Sequence, residues 1–290
     1  MSRPPSNTYV GRFAPSPTGP IHIGTLVSAM ASYLDARINN GKWLLRIEDI
    51  DRPREVSGSA ESIIRFLDCA GFGWDDDIIY QSQRNDYYQH ILQKLQEKDL
   101  TYPCECSRKQ IANGIYRSIC RDKQLSTRQP LAIRIKTDDK ELIFNDRIKG
   151  QRSHRLLSQT GDFVIKRKDG LFAYQLAVVA DDADCKVTDV VRGADLLDST
   201  PRQIYLYRQL GMPEPSYAHT TLILDHNGNK FSKSQPGDKI LKPQLDTLVT
   251  AWNLLQPEIL STKDFDSLDS FWAWAGSHWD IKHIKQDQIL

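Results

Sequence analysis

The 290-residue chain carries 38 Lys/Arg against 37 Asp/Glu, a formal net charge of +1, with 40% hydrophobic and 26% charged residues. These proportions exclude a disordered chain, a collagen-like repeat and a disulfide-dense miniprotein. With no run of about 18 apolar residues, no signal-peptide core and five cysteines, the chain reads as a cytoplasmic protein with no membrane partner.

The predicted elements alternate. Tyr9–Phe13 reads as a short strand, followed by a Pro/Gly-rich loop from Ala14 to Pro20. Val27, Met30, Leu34 and Ile38 recur at helical spacing, and Asn39-Asn40-Gly41 is a stop signal. Trp43–Ile47 is a second strand, so strand, helix and strand within 50 residues argue for a parallel sheet with right-handed crossovers. Helical patterns return around Ile63–Cys69 and Tyr87–Leu95. From Thr101 to about Gly150 the rhythm breaks into Cys, Arg and β-like pieces such as Leu131–Ile135, which reads as an insertion. Helix Pro201–Leu210 ends at Gly211, and strand Tyr217–Leu224 runs into the turn signal Asp225-His226-Asn227-Gly228. The last 50 residues read as helical and contain Trp252, Trp272, Trp274 and Trp279.

Balanced overall charge conceals a basic middle. Residues 101–168 hold 16 Lys/Arg and 7 Asp/Glu, a local charge of +9. Such a segment suits a polyanion such as nucleic acid, or is simply a solvated face. Within it, Cys104, Cys106 and Cys120 fall inside 17 residues, and soft ligands so clustered favour a structural Zn²⁺. No His lies between His90 and His154 to complete the set. Cys69 and Cys185 stand alone beside apolar residues and read as core thiols.

Two motifs carry the chemistry. The first, Ala14 to Thr25, follows a strand and opens a helix, where backbone N–H groups favour an anion. Gly24 would let a nucleotide approach the backbone, and His22 could donate to a phosphate oxygen, although a lone His before a helix is more often a cap. The second, Lys230-Phe231-Ser232-Lys233-Ser234, places two lysines on a polar loop, able to clamp a triphosphate and its leaving pyrophosphate.

Together the two motifs resemble the HIGH and KMSKS signatures of class I aminoacyl-tRNA synthetases. The strings RFAPSPTGPIHIGT and LLRIEDIDRPR are similar to the glutamyl-tRNA synthetase group, and the resemblance runs from about Tyr9 to Ser234. Thr25 stands where the general signature has a second His, and Phe231 where it has Met. The resemblance implies a Rossmann-like α/β catalytic domain (1–100 and 170–235), an inserted zinc-containing, RNA-contacting subdomain (101–169) and a short helical C-terminal region (236–290). It implies catalytic roles for His22, Gly24, Lys230 and Lys233, and ATP binding by Pro15, His22, Gly24, Thr25 and Lys233, with Mg²⁺. Arg12, Ser16, Glu48, Tyr174 and Arg192 fall where the group holds glutamate. In that role Glu48 can accept from the substrate ammonium, and the two guanidinium groups, which only donate, favour glutamate over glutamine. Tyr116 falls where one branch of the family has its fourth zinc ligand, beside Cys104, Cys106 and Cys120.

Only 56 residues follow Ser234, fewer than the anticodon-binding domain of full-length glutamyl enzymes needs. This resembles the branch that activates L-glutamate without tRNA and esterifies it to the queuosine base of tRNA(Asp). A truncated paralogue acting on a tRNA 3′ end, a non-catalytic tRNA-binding regulator and a small-molecule adenylyl transferase are the alternatives. The expectation is a monomeric, ATP-dependent ligase with glutamate, ATP and queuosine-bearing tRNA(Asp) as partners.

Overall fold

A computed structural model describes residues 8–111, 115–125, 129–224, 241–285 and 288–289. The expected Asp225–Gly228 turn and the Lys230–Ser234 loop lie outside these residues. In chain order the elements are β1 (Val10–Phe13), α1 (Ile23–Ile38), β2 (Lys42–Ile47), α2 (Ser59–Cys69), β3 (Ile79–Tyr80), α3 (Asn85–Glu97), β4 (Thr101–Cys104) and β5 (Ala132–Ile135). There follow β6 (Glu141–Asp146), β7 (Gly150–Arg155), α4 (Leu156–Gln159), β8 (Val164–Lys166), α5 (Tyr174–Asp184), β9 (Asp189–Gly193) and α6 (Thr200–Leu210). The chain continues through β10 (Ser216–Thr220), β11 (Ile223–Leu224), α7 (Leu245–Leu255), α8 (Leu268–His278) and β12 (Gln288–Ile289).

Parallel pairing dominates the centre. β1, β2 and β3 form one parallel ladder, and β9 and β10 pair parallel with Arg192 opposite His219. β1 and β9 adjoin where the Thr188 N–H donates to the Val10 carbonyl at 2.9 Å. Because alternate strand residues face opposite sides, each strand feeds two cores. Phe13, Trp43, Leu45, Val191 and Ala218 pack with α1, α2, α7 and α8. Val190 and Tyr217 pack on the other face with α3, α5 and α6. Helices on both faces of a parallel sheet make this a Rossmann-like α/β architecture.

The C-terminal helices read from the sequence are α7 and α8, whose tryptophans close the first core. Trp272 stacks edge-on against Phe72 and donates to the Ala70 carbonyl at 2.9 Å. Its ring takes the place of a side chain at Gly71, which has φ +81°, so only glycine suits that position.

Residues 101–169 divide between two sheets. β4, β5 and β8 form a separate antiparallel sheet, whereas the β6–β7 hairpin joins β10 at the edge of the β9–β10 ladder. The segment read as one insertion thus contributes strands to two sheets. The hairpin is mostly exposed: β7 is polar, and of the short apolar run Leu142–Phe144 in β6 only Leu142 is buried. Strand Tyr217–Leu224 is interrupted, splitting into β10 and β11. No helix among the described residues is long and apolar enough to cross a membrane.

Candidate active site

The site forms at the C-terminal ends of the parallel strands, where open α/β sheets place their ligands. The loop leaving β1 is pinned at three points. The Glu48 N–H donates to the Pro15 carbonyl at 3.0 Å, the Val56 N–H to the Pro17 carbonyl at 2.9 Å, and Ser59 Oγ bonds both the N–H and carbonyl of Gly19. Glu48 follows β2 directly, so this pinning brings β1's loop and β2's end together.

His22 is the N-cap of α1. Its Nδ1 accepts from the Thr25 N–H at 3.3 Å, and its Nε2 lies 2.8 Å from Thr25 Oγ1. Acceptance at Nδ1 leaves the neutral ring's proton on Nε2, which faces Thr25 Oγ1. Thr25, where the general signature has an imidazole, thus holds the one His present. A side chain at Gly24 would sit 3.3 Å from the His22 ring, so this glycine also leaves the ring its space.

A cavity of about 290 Å³ brings the expected residues together. Arg12, Ser16, Glu48, Tyr174 and Arg192 line it, as do Pro15, His22, Gly24 and Thr25. Arg12 on β1 and Arg192 on β9 reach it from the same face of the sheet as Arg46 on β2, and all three are buried. Their counter-charges come from α5. Asp182 accepts from Arg46 Nη1 at 2.5 Å and from Arg12 Nε at 3.3 Å. Asp181 accepts from Gln81, Tyr88 and Arg84 at 2.7, 2.9 and 2.7 Å, with Arg46 Nε 3.7 Å away. Burial alone would raise the Asp182 carboxyl, but Arg46 and Arg12 outweigh it and hold it below the usual range. Glu48 goes the other way. Burial pushes it up to about 7, against Arg46 and Arg12, with Asp182 and Asp181 adding to the rise.

Arg192 is held on one side only. Its Nε donates to His219 Nε2 at 3.0 Å and its Nη2 to Thr200 Oγ1 at 2.9 Å, while Nη1 is buried without a protein partner. An unpaired buried donor costs about 1–3 kcal/mol, which an incoming carboxylate would recover.

In the second sheet the metal candidates converge. The sulfurs of Cys104, Cys106 and Cys120 lie within 4.8 Å of one another, with Cys106 and Cys120 3.5 Å apart. Zn–S bonds of about 2.3 Å imply sulfurs roughly 3.8 Å apart in a tetrahedron, so the thiols could hold a metal ion. The Tyr116 hydroxyl lies 3.4 Å from Cys104 Sγ and accepts from the Cys120 N–H at 2.9 Å. Buried Arg134 donates to Cys104 Sγ at 3.2 Å and lies over the Tyr116 ring, compensating negative charge there. Asp162 gathers Tyr102, Ser118, Arg121 and Thr137 behind this cluster.

One expectation needs correction. Cys69 is exposed, because α2 turns Ile63, Phe66 and Leu67 inward and Cys69 away, whereas Cys185 is half-buried and packs against the second core. In the basic segment Arg121 pairs with Asp162, which the +9 already counts, and Arg147 pairs with the buried Asp35 outside it. Lys230 and Lys233 lie outside the described residues. The sequence reading missed Arg46, Asp181, Asp182, Asp146 and His219. An Arg among apolar residues in Leu-Leu-Arg-Ile signalled a buried charge, and the Asp pair in Ala-Val-Val-Ala-Asp-Asp-Ala-Asp supplied its partner.

The fold and site define a class I aminoacyl-tRNA synthetase catalytic domain. Residues 9–121 and 117–261 match the family model for class I tRNA synthetases (E and Q), catalytic domain. The glutamate-tRNA synthetase from Elizabethkingia anophelis superposes with a TM-score of 0.82 at 25% identity, covering 98% of this chain and 68% of that one. The glutamyl-Q tRNA(Asp) synthetase of Pseudomonas fluorescens is 45% identical over 287 residues, 98% of this chain and 96% of the relative. That of Dechloromonas aromatica is 43% identical over 296 residues, 98% of each chain. The chain belongs to the glutamyl-Q tRNA(Asp) synthetase family.

The cap makes a prediction separable from chemistry. His22→Ala should lower stability by about 1 kcal/mol, and His22→Asn, which can still cap, by a few tenths. Urea unfolding measures both, and equal stability of His22→Ala and the parent would refute the capping role.

Proposed function

We propose that the chain activates L-glutamate with ATP and transfers it to the queuosine base in the anticodon loop of tRNA(Asp). The observation that carries this reading is the cavity joining two arginines and Glu48 to the His22–Thr25 helix start. Relatives named for the same activity match the chain along nearly their whole length.

In the first step an α-carboxylate oxygen of glutamate attacks the α-phosphorus of ATP. The bond to the β-phosphate breaks, giving glutamyl-AMP and pyrophosphate. The carboxylate is already ionised at neutral pH, so no general base is needed and the task is positioning and charge neutralisation. Glu48 accepts from the substrate ammonium. Arg12 and Arg192 donate to carboxylate oxygens, an arrangement that offers a glutamine side-chain amide nitrogen only other donors. His22, with Lys230 and Lys233, stabilises phosphate oxygens as charge moves to the leaving group. Mg²⁺ bound with the triphosphate would add neutralisation there. In the second step a hydroxyl of queuosine's cyclopentene diol attacks the activated carbonyl, forming an ester and releasing AMP and a proton.

A second cavity of about 1140 Å³ shares Ser16, Thr18, Glu48 and Tyr174 with the first, and Arg134, Arg167, Lys168 and Arg202 also line it. It offers a splayed base of an RNA loop a way to the adenylate, and exposed Arg152 and Arg155 offer phosphate contacts nearby in the chain. Zn²⁺ held by Cys104, Cys106, Cys120 and Tyr116 would fix the loop between β4 and β5, as a closed structural site does.

Three measurements test this reading. Labelled glutamate should appear on tRNA(Asp) from cells that make queuosine and not on tRNA(Asp) from cells that cannot, as an alkali-labile ester. Equal labelling, or label released with the 3′ terminal nucleotide, would overturn the acceptor. Metal analysis should find one zinc per chain, lost in Cys104→Ser/Cys106→Ser and kept in Cys185→Ser, whereas zinc-free native protein would end the metal assignment. Finally, ATP–pyrophosphate exchange without RNA should require glutamate, with a pH-dependent KM. The charged Glu48 that binds ammonium accumulates as pH rises through about 7. KM for glutamate should therefore rise about tenfold from pH 8 to pH 6. Glu48→Gln should raise KM and flatten this dependence; a profile unchanged in that variant refutes the ammonium role.

A further inference from the structure

Arg192 on β9 lies directly opposite His219 on β10 in the parallel register, so both side chains emerge on one face of the sheet. Beneath His219 stands Asp146, at the end of β6. One Asp146 oxygen accepts from the backbone N–H groups of Ile148 and Lys149 at 3.0 and 2.8 Å and lies 3.2 Å from the His219 N–H. The other lies 2.6 Å from His219 Nδ1. All three side chains are buried.

We propose that Asp146 and His219 are positioning residues for glutamate selection. They fix an unprotonated Nε2 that grips Arg192 Nε and leaves Nη1 free for a substrate carboxylate. This inference rests on the glutamate pocket proposed above.

The chain of donors and acceptors has one consistent solution. An ionised carboxylate only accepts, so the proton between Asp146 and His219 sits on Nδ1. A neutral ring then carries a bare lone pair on Nε2, the atom 3.0 Å from Arg192 Nε–H. Thr200 takes Nη2, which leaves Nη1 as the one terminal nitrogen without a protein partner, in a residue that lines the cavity with Arg12 and Glu48. An imidazolium would set N–H against N–H and two positive charges side by side. Burial and the neighbouring Arg192 and Arg12 charges push His219 below the ordinary imidazole range, while its hydrogen bond to Asp146 pulls the other way. Burial pushes Asp146 up, but the hydrogen bonds from His219 and from the Lys149 and Ile148 amides outweigh it and keep it ionised. The result is a carboxylate that acts on substrate through two side chains without touching it.

Two amide substitutions separate the halves of this relay. His219→Gln can place its Oε1 near the position of Nε2 and still accept from Arg192. His219→Asn can reach Asp146 but offers Arg192 nothing. In glutamate-dependent ATP–pyrophosphate exchange, His219→Asn should raise KM for glutamate about tenfold, with kcat and KM for ATP within about twofold of the parent. His219→Gln should keep KM within about threefold. Equal KM values in the two variants would overturn the proposal, as would a loss confined to kcat. Independently of any variant folding, nitrogen-15 spectra of histidine-labelled parent protein at pH 7 should show His219 protonated at Nδ1 and bare at Nε2. The opposite tautomer or an imidazolium would overturn it equally. Absence of glutamate-dependent exchange in the parent would instead overturn the underlying pocket, and the spectrum would still decide the tautomer.

Discussion

The Arg46 guanidinium, enclosed between the sheet and α5, is the contact on which the rest of the site depends. It lies in β2 at 1% exposure, and Asp181 and Asp182 meet it at 0% and 1%. Charges so enclosed are tolerable only when paired and hydrogen-bonded; removing one partner typically costs 3–5 kcal/mol. The pairing therefore sets how α5 sits on the sheet. Tyr174 at the start of that helix, Arg12 through Asp182, and Glu48 just beyond β2 all take their places from it. The pocket is thus built as one electrostatic unit and not from side chains independently aimed at a ligand.

Charge within that unit is nearly balanced before substrate arrives. Arg12, Arg46 and Arg192 face Asp181, Asp182 and Glu48, and the last is the one poised to change state. In the proposed reaction, an amino acid bringing an ammonium and two carboxylates would complete both signs at once. Its cation would favour the charged form of Glu48, and its anions would face Arg12 and Arg192. A neutral side-chain amide would leave the second half of that exchange unfinished.

Local chemistry was legible in the sequence and long-range pairing was not. The loop from Ala14 to Thr25, the end of β2 and the convergence of the three cysteines were readable because each set lies within a short stretch of chain. The helix stop at Gly211 was readable for the same reason, and its φ of +69° shows why glycine stands there. By contrast, α5 escaped notice, since buried helices lack the polar face that makes periodicity visible. Asp146 and His219 are 73 positions apart and meet only because β6 and β10 share a ladder. The β6–β7 hairpin reads as insertion until its partner strand is known. Cys69 misled because apolar neighbours in sequence need not share a helix face.

β11 ends at Leu224, one residue before the segment that carries both signature lysines, and its partner strand is β12, with Ile223 registered against Gln288. Thr221, just upstream, donates to the Lys285 carbonyl. The point where the chain leaves β11 is thus fastened from far downstream, with Lys285 lying 64 positions beyond Thr221. A variant lacking β12 would lose this pairing while keeping both signature motifs in its sequence.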